Sequence, residues 1–444
     1  MKKIVTILLL SVLIFMGINS QAVVQSQVKN DITKLAVNFV TDLASQDFKK
    51  AISEYAYTVE MQKIISESFL RDQVWDFFVQ SYGQYQEITA ATVSQSQGYD
   101  IISVNTAFSK AKIRINIVFD QNKLIAGLNH ALVEKTATRE MPKSIQEVEI
   151  EFGKKERKLP GVLTIPTNNQ NQKHPVVILV HGSGPNDRDQ TIGPNKPFRD
   201  IAWGLAQRDI ASLRYDKRTL VHPDQFSTQF TVYDETIEDA LLAVEYLKTL
   251  DNIDSSGIFV LGHSLGGMLL PRIAEKSPDA RGFIIISAPV TPLEDLLVEQ
   301  IKYIAEVDGV IATEEKESII KAERVQAKIK KITEQTASAD ELLGISPEYW
   351  LDLHGYNPAE LAQKIIKPLI ILQGERDYQI TMKEFQLWQE ILGQKDNVTY
   401  ISYPGLNHIL IAGTGKSQPQ EYYIPGQVDQ NLIEDLASWI KNNL

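Results

Sequence analysis

Residues 257–267, Gly-Ile-Phe-Val-Leu-Gly-His-Ser-Leu-Gly-Gly, constrain this chain more than any other stretch. An apolar run rich in β-formers ends in Gly262-His263-Ser264-Leu265-Gly266, a G-x-S-x-G pattern, and passes into the helix-compatible Met268-Leu269-Leu270. That order predicts a strand, a sharp turn and a helix. In such a turn the serine takes a strained conformation, and glycines two residues before and after it let strand and helix approach without a Cβ between them. The Ser264 hydroxyl is then exposed and ready to attack an electrophile.

A strand–turn–helix of this kind belongs in a parallel sheet, and the flanking sequence supplies one. Buried-strand runs at 176–180, 211–215, 258–261, 283–287, 369–372 and 398–402 alternate with helical stretches such as 236–247 and 433–439. Such alternation demands a mostly parallel, doubly wound sheet covered on both faces. Ahead of it, Val148, Ile150 and Phe152 alternate with glutamates, and Leu163 and Ile165 follow a Pro160-Gly161 turn, which predicts an antiparallel hairpin leading into the sheet.

In such sheets ligands bind at the carboxyl ends of the strands. After 176–180 stands His181-Gly182-Ser183-Gly184-Pro185, small residues whose N–H groups can come close to a developing oxyanion. The N–H groups of Ser183 and Leu265 are the expected donors, with Gly184 as the rival to Ser183. The partners of an elbow serine follow in the order acid, then histidine. Asp377 occupies the loop after 369–372, with Glu375 as runner-up, and of seven histidines only His408 lies beyond the last expected strand. Ser264, Asp377 and His408 are therefore the candidate triad; His263, inside the elbow, is directed elsewhere by the turn.

These residues resemble the α/β-hydrolase superfamily over about 145–444. Within it the motifs His181-Gly182-Ser183-Gly184-Pro185, Arg214-Tyr215-Asp216-Lys217-Arg218, Gly262-His263-Ser264-Leu265-Gly266-Gly267, Ser287-Ala288-Pro289 and Gly374-Glu375-Arg376-Asp377-Tyr378-Gln379 are similar to those of bacterial serine-aminopeptidase-like hydrolases and esterases. The resemblance implies a serine hydrolase that cleaves a small-molecule ester or peptide-like substrate through an acyl-enzyme, without cofactor or metal. Serine rather than aspartate in the elbow argues against chemistries that attack through a carboxylate. Carboxylic ester hydrolysis is the leading expectation. Serine aminopeptidase activity and, in another class, a non-catalytic envelope binding protein remain the alternatives.

Between 283–287 and 369–372 lie about eighty residues where a crossover usually needs far fewer. Ile319, Ala322, Val325, Ile329 and Ile332 form an apolar stripe through a Lys/Glu-rich segment, so a helical cap is expected at about 291–355. Asp187, Arg188 and Asp189, with Arg214, Asp216 and Arg218, form two charged clusters at strand ends, read either as substrate contacts or as a structural ion-pair network.

The first third has another texture. Apolar residues recur at helical spacing from Leu35 to Leu43, Phe48 to Tyr55 and Phe69 to Tyr82, followed by period-two runs at 101–108, 113–119 and 124–128. Helices followed by a curled antiparallel sheet predict a small α+β domain over 28–133, joined by a linker at 134–144. It resembles a family of uncharacterised domains found just before secreted hydrolases, similar to cone-shaped folds of the nuclear-transport-factor type.

Lys2 and Lys3, a mostly apolar run at 4–18 and Ser20-Gln21-Ala22 have the pattern of a signal peptide cleaved after Ala22. The expectation is an exported protein, periplasmic or extracellular, with no membrane span after cleavage. A net charge of −11 disfavours nucleic acid as a partner. The absence of cysteine excludes disulfides, thiolate catalysis and Cys-ligated metal. Oligomeric state leaves no mark in the sequence.

Overall fold

A computed structural model describes residues 28–444 apart from 97–98, 133–138, 169–171, 227–228, 308, 310, 312 and 334–341. The expected signal segment and the first part of the expected linker lie outside the described residues. Two compact units emerge, one running to Arg139 together with Tyr423–Pro425, the other comprising Glu140–Tyr422 and Gly426–Leu444.

In the first unit α1 (Val28–Ala44) buries Ile32, Ala36, Phe39, Val40 and Leu43, a spacing that keeps one helical face inward. The Asp47 side chain caps α2 (Phe48–Ser53) by accepting the Lys50 N–H. The third expected helix starts as a π-helical stretch, Phe69–Trp75, and continues as α3 (Asp76–Tyr82). Four strands, β1 (Tyr85–Ser96), β2 (Tyr99–Phe108), β3 (Lys112–Phe119) and β4 (Ile125–Leu132), form an antiparallel meander in chain order. Alternate residues Ile113, Ile115, Ile117 and Phe119 are buried. The sequence pattern had indicated three strands, and β1 is the addition. It is an edge strand with no buried position among its described side chains, so it needs no apolar row to announce it.

The second unit is an α/β-hydrolase fold. Its eight strands are β5 (Ile145–Lys154), β6 (Arg157–Pro166), β7 (His174–Val180), β8 (Ala211–Tyr215), β9 (Ile253–His263), β10 (Gly282–Ile286), β11 (Leu369–Gly374) and β12 (Val398–Tyr403). They lie in the order β12-β11-β10-β9-β7-β8-β6-β5. The hairpin β5–β6 is antiparallel and β6 runs antiparallel to β8; every other neighbouring pair is parallel. Alternate side chains serve opposite layers. Val176, Ile178 and Val180 pack with α5 (Glu238–Leu247) through residues such as Ala240 and Val244, while Val177 and Leu179 pack in the cluster of α4 (Pro197–Ala206) and the C-terminal helix Gln430–Asn442. A strand apolar on both faces is what this sandwich requires.

The cap is helical as expected. After the elbow helices α6 (Leu265–Met268) and α7 (Leu270–Lys276), the chain forms α8 (Leu293–Glu306), α9 (Thr313–Ile329) and α10 (Pro347–Leu353) between β10 and β11. Gln326 on α9 donates to Asp295 on α8 (2.6 Å), and Ile329 is buried, whereas the middle of the α9 stripe is only half-buried. Glu384, fully buried on the helix after β11, accepts the N–H groups of Val290 and Thr291 and the Thr291 hydroxyl at 2.6–2.8 Å, which fixes the point where the cap leaves the sheet. Among the described residues, no helix is long and apolar enough to cross a membrane.

Candidate active site

Ser264 sits between β9 and α6 with φ 55° and ψ −121°, a backbone region that costs a β-substituted residue energy and persists only where the surroundings impose it. Glycine makes the turn feasible. A Cβ on Gly262 would collide with the Gly266 carbonyl, and one on Gly266 would meet the carbonyls of Val180 and His181. The Ser264 N–H is held by the Ile286 carbonyl (3.0 Å), so β10 supports the turn from the side.

Asp377, in the loop after β11, is 3 % exposed and saturated with donors. Its Oδ1 accepts the N–H groups of Gln379 (2.8 Å) and Ile380 (2.9 Å). Its Oδ2 accepts from His408 Nδ1 (2.7 Å) and, at longer range, from Gln373 Nε2 (3.4 Å). A carboxylate can only accept from a ring N–H, so neutral His408 carries its proton on Nδ1 and leaves the Nε2 lone pair available. Glu375 is turned away and accepts the Ser402 hydroxyl at 2.8 Å.

The loop after β7 sorts its amide protons. Gly182 N–H donates to Gln190 Oε1 (3.1 Å) and Gly184 N–H to Glu235 Oε1 (3.3 Å), while Ser183 N–H between them has no partner among the described residues. The Leu265 N–H is likewise without one, as expected for the first residue of a helix. Lys217 Nζ donates to the Gly182 carbonyl (2.7 Å) and to Glu235 (2.6 Å) in a pair that is almost wholly buried.

His263 also has a definite place. Its Nε2 donates to the His408 carbonyl (2.8 Å), its Nδ1 faces Gln190 Nε2 (2.8 Å), and the two imidazoles lie 4.7 Å apart between centroids. Burial, with a smaller contribution from His408, pushes the His263 pKa down to about 3. It is neutral at any working pH. His181 is pushed down to about 3 by burial and by the Lys217 charge.

A model of the family described as "Serine aminopeptidase, S33" matches residues 171–415, and a family described as a protein of unknown function, DUF3887, matches 36–128. The chain is 36 % identical over 407 residues to esterase EstD of Thermotoga maritima, covering 90 % of this chain and 93 % of that protein. This chain belongs to the serine aminopeptidase S33 family. Solved α/β-hydrolases with similar folds include Est1E of Butyrivibrio proteoclasticus (18 % identical, 66 % of this chain and 98 % of that one, TM-score 0.42) and the Pyrococcus furiosus esterase Pf2001 (18 %, 70 % and 96 %, TM-score 0.45). The protein is a carboxylesterase-like hydrolase.

Other parts of this S33 hydrolase were less visible in the sequence. The two charged clusters form three sets of ion pairs, Arg188 with Asp216 and Glu149, Arg214 with Asp189 and Glu147, Arg218 with Asp239 and Glu238, while Asp187 accepts the N–H groups of Asp189 and Thr191 within its own loop. Lys217, which the motif grouped with these arginines, serves the loop after β7 instead. Gln190, Glu235 and Gln373 were not anticipated. Each acts across a loop or a long stretch of chain, and no local pattern of residues marks it; the left-handed φ of 49° at Gln190 is visible only in the backbone. On the cap side Tyr303 of α8 stacks on Tyr378 (5.3 Å, 14°), one residue past Asp377, beside a cavity of about 310 Å³ lined by Leu296, Tyr303, Tyr378 and Gln379.

Proposed function

We propose that this hydrolase cleaves carboxylic esters of small molecules through an acyl-Ser264 intermediate. His408 Nε2 takes the Ser264 proton as Oγ attacks the carbonyl carbon, and the Asp377 carboxylate, remaining ionised, stabilises the imidazolium that results. The N–H groups of Ser183 and Leu265 bind the oxyanion; Gly184, whose N–H is engaged by Glu235, is the weaker candidate. His408 then protonates the departing alcohol, and a water molecule activated by the same nitrogen releases the acid. The observation that carries this reading is the 2.7 Å contact between buried His408 and buried Asp377 at neighbouring strand ends, with His408 also held to the elbow residue His263.

The description of the matching family favours a second reading, release of N-terminal residues from peptides. The esterase relative that spans nearly the whole chain supports the first. Treatment with a fluorophosphonate probe, followed by peptide mapping, tests both: an adduct on Ser264 is expected, and its absence removes the enzymatic reading in favour of a binding protein. Short acyl esters and aminoacyl amides then separate the two activities, since turnover of the amides alone contradicts an esterase. The cap is taken to shape the acyl or leaving-group pocket.

We also infer export, on the strength of the Lys2-Lys3, apolar and Ser20-Gln21-Ala22 pattern. Sequencing of the mature protein is expected to begin at Val23, and an intact Met1 on a membrane-bound product contradicts it.

A further inference from the structure

One buried side chain, Gln190, touches two of the four loops that the proposed reaction uses, those of Gly182 and His263, and reaches a third, that of His408, through His263. It lies between β7 and α4, 3 % exposed. The polarity of its partners fixes its orientation. The Gly182 N–H can only donate, so the amide oxygen faces it (3.1 Å) and the NH₂ group faces His263 Nδ1 (2.8 Å). The NH₂ group can only donate in turn, so Nδ1 is bare and the ring proton is on Nε2. There it meets a carbonyl oxygen, that of His408, which can only accept (2.8 Å). Each member of the relay therefore admits one arrangement, and the three are mutually consistent.

We propose that Gln190 is a positioning residue: its amide holds His263 in the Nε2–H tautomer, which seats the His408 loop on the elbow, while its oxygen orders the N–H row in which Ser183 stands. The inference rests on the hydrolytic reading given above and adds to it a residue that contacts no reacting atom.

The charge state of His263 matters because its ring lies against the base. The ionisable groups around the pair are Asp377, bonded to His408; His181, itself buried and neutral; and Lys217, which is paired with Glu235. With His263 neutral, Asp377 is the charge that governs His408. An imidazolium at His263, 4.7 Å from His408, would repel the positive charge that His408 gains when it takes the Ser264 proton.

Three measurements on the full chain test this. In spectra of protein labelled with ¹⁵N-histidine, assigned by comparison with His263→Gln, the His263 resonances are expected to show an unprotonated Nδ1 and a protonated Nε2 from about pH 5 to 8. A protonated Nδ1 overturns the proposal even if neither Gln190 variant folds. Gln190→Leu is expected to lower kcat by roughly tenfold to a hundredfold, with KM changed less than about threefold; an unchanged kcat overturns it. Gln190→Glu keeps the acceptor for Gly182 but, once ionised, offers His263 no donor. Its acid limb in kcat/KM is expected to shift from the wild-type position by at least about half a pH unit, whereas superimposable profiles contradict the proposal. Failure of Ser264 to take a fluorophosphonate would sink the hydrolytic reading instead, leaving the tautomer result to stand or fall separately.

Discussion

The two units enclose histidine in different ways. In the N-terminal unit the ring of His130 packs edgewise on Phe77 and Phe78, with Nε2 2.9 Å from the Tyr82 hydroxyl. Burial of the ring pushes its pKa down to about 4. In the hydrolase unit His408 faces a carboxylate at 2.7 Å. Around His130 burial penalises the imidazolium and the ring's polar partner is a neutral hydroxyl, whereas the polar partner of His408 is the Asp377 carboxylate. The sheets differ in the same sense. A meander returns each strand through a hairpin, and its polar side chains serve the turns, as Asp120 does by accepting the N–H groups of Asn122 and Leu124. A parallel sheet brings the carboxyl ends of β7, β9, β11 and β12 to one edge, where Ser183, Ser264, Asp377 and His408 follow them.

The sharpest way to break this contrast is to remove its reactive member. Ser264→Ala is expected to lower kcat/KM for an ester by at least about 10⁴-fold with the melting temperature nearly unchanged. Retention of a tenth of the activity would place the nucleophile elsewhere. Next in size, Asp377→Asn is expected to cost roughly 10³- to 10⁴-fold in kcat, because an amide no longer fixes the tautomer or stabilises the imidazolium. His130→Leu should leave kcat within about twofold, since nothing places His130 at the reaction. A comparable loss at both positions would erase the distinction drawn between the units.

Protons provide a third comparison. Unfolded histidines bind protons near pH ~6.5, whereas burial holds His181 and His263 at about 3. Between these values the unfolded chain binds more protons, so stability is fully present above about 6.5 and falls as the pH drops, by up to about 1.4 kcal/mol per unit for each ring. Urea midpoints measured from about pH 7 to 4 are expected to fall, and to fall less steeply in His263→Gln. An equal slope in that variant would mean that His263 is not buried neutral. The smallest effect belongs to the cap. Tyr303→Ala, which removes one ring of the stack over Tyr378, is expected to change KM for bulky acyl esters by roughly threefold to tenfold and kcat for acetyl esters little; equal effects on both would deny the cap a part in selection.

What could be read in the chain divides along physical lines. The strands of the large sheet are continuous apolar runs because both their faces are covered, and the elbow is written in glycines that the close approach of backbones demands. Asp377 and His408 could be singled out because the sheet orders its loops. β1 was missed because an exposed edge strand carries no such imprint. Gln190 was missed because its partner His263 lies 73 residues away, and a hydrogen bond of that span leaves no periodicity. Lys217 carried no assignment: in sequence it is one cation beside Arg214 and Arg218, and only folding reveals that its ammonium group serves the Gly182 carbonyl.

The central claim is that the strained serine at the end of β9 carries the acyl group. Mixing the protein with a p-nitrophenyl ester, quenching in acid within the first turnovers and mapping the peptides by mass reads this directly. The account predicts an acyl adduct on the peptide bearing Ser264, absent from Ser264→Ala; steady turnover with no adduct on that peptide, or the same adduct elsewhere in both proteins, would contradict it.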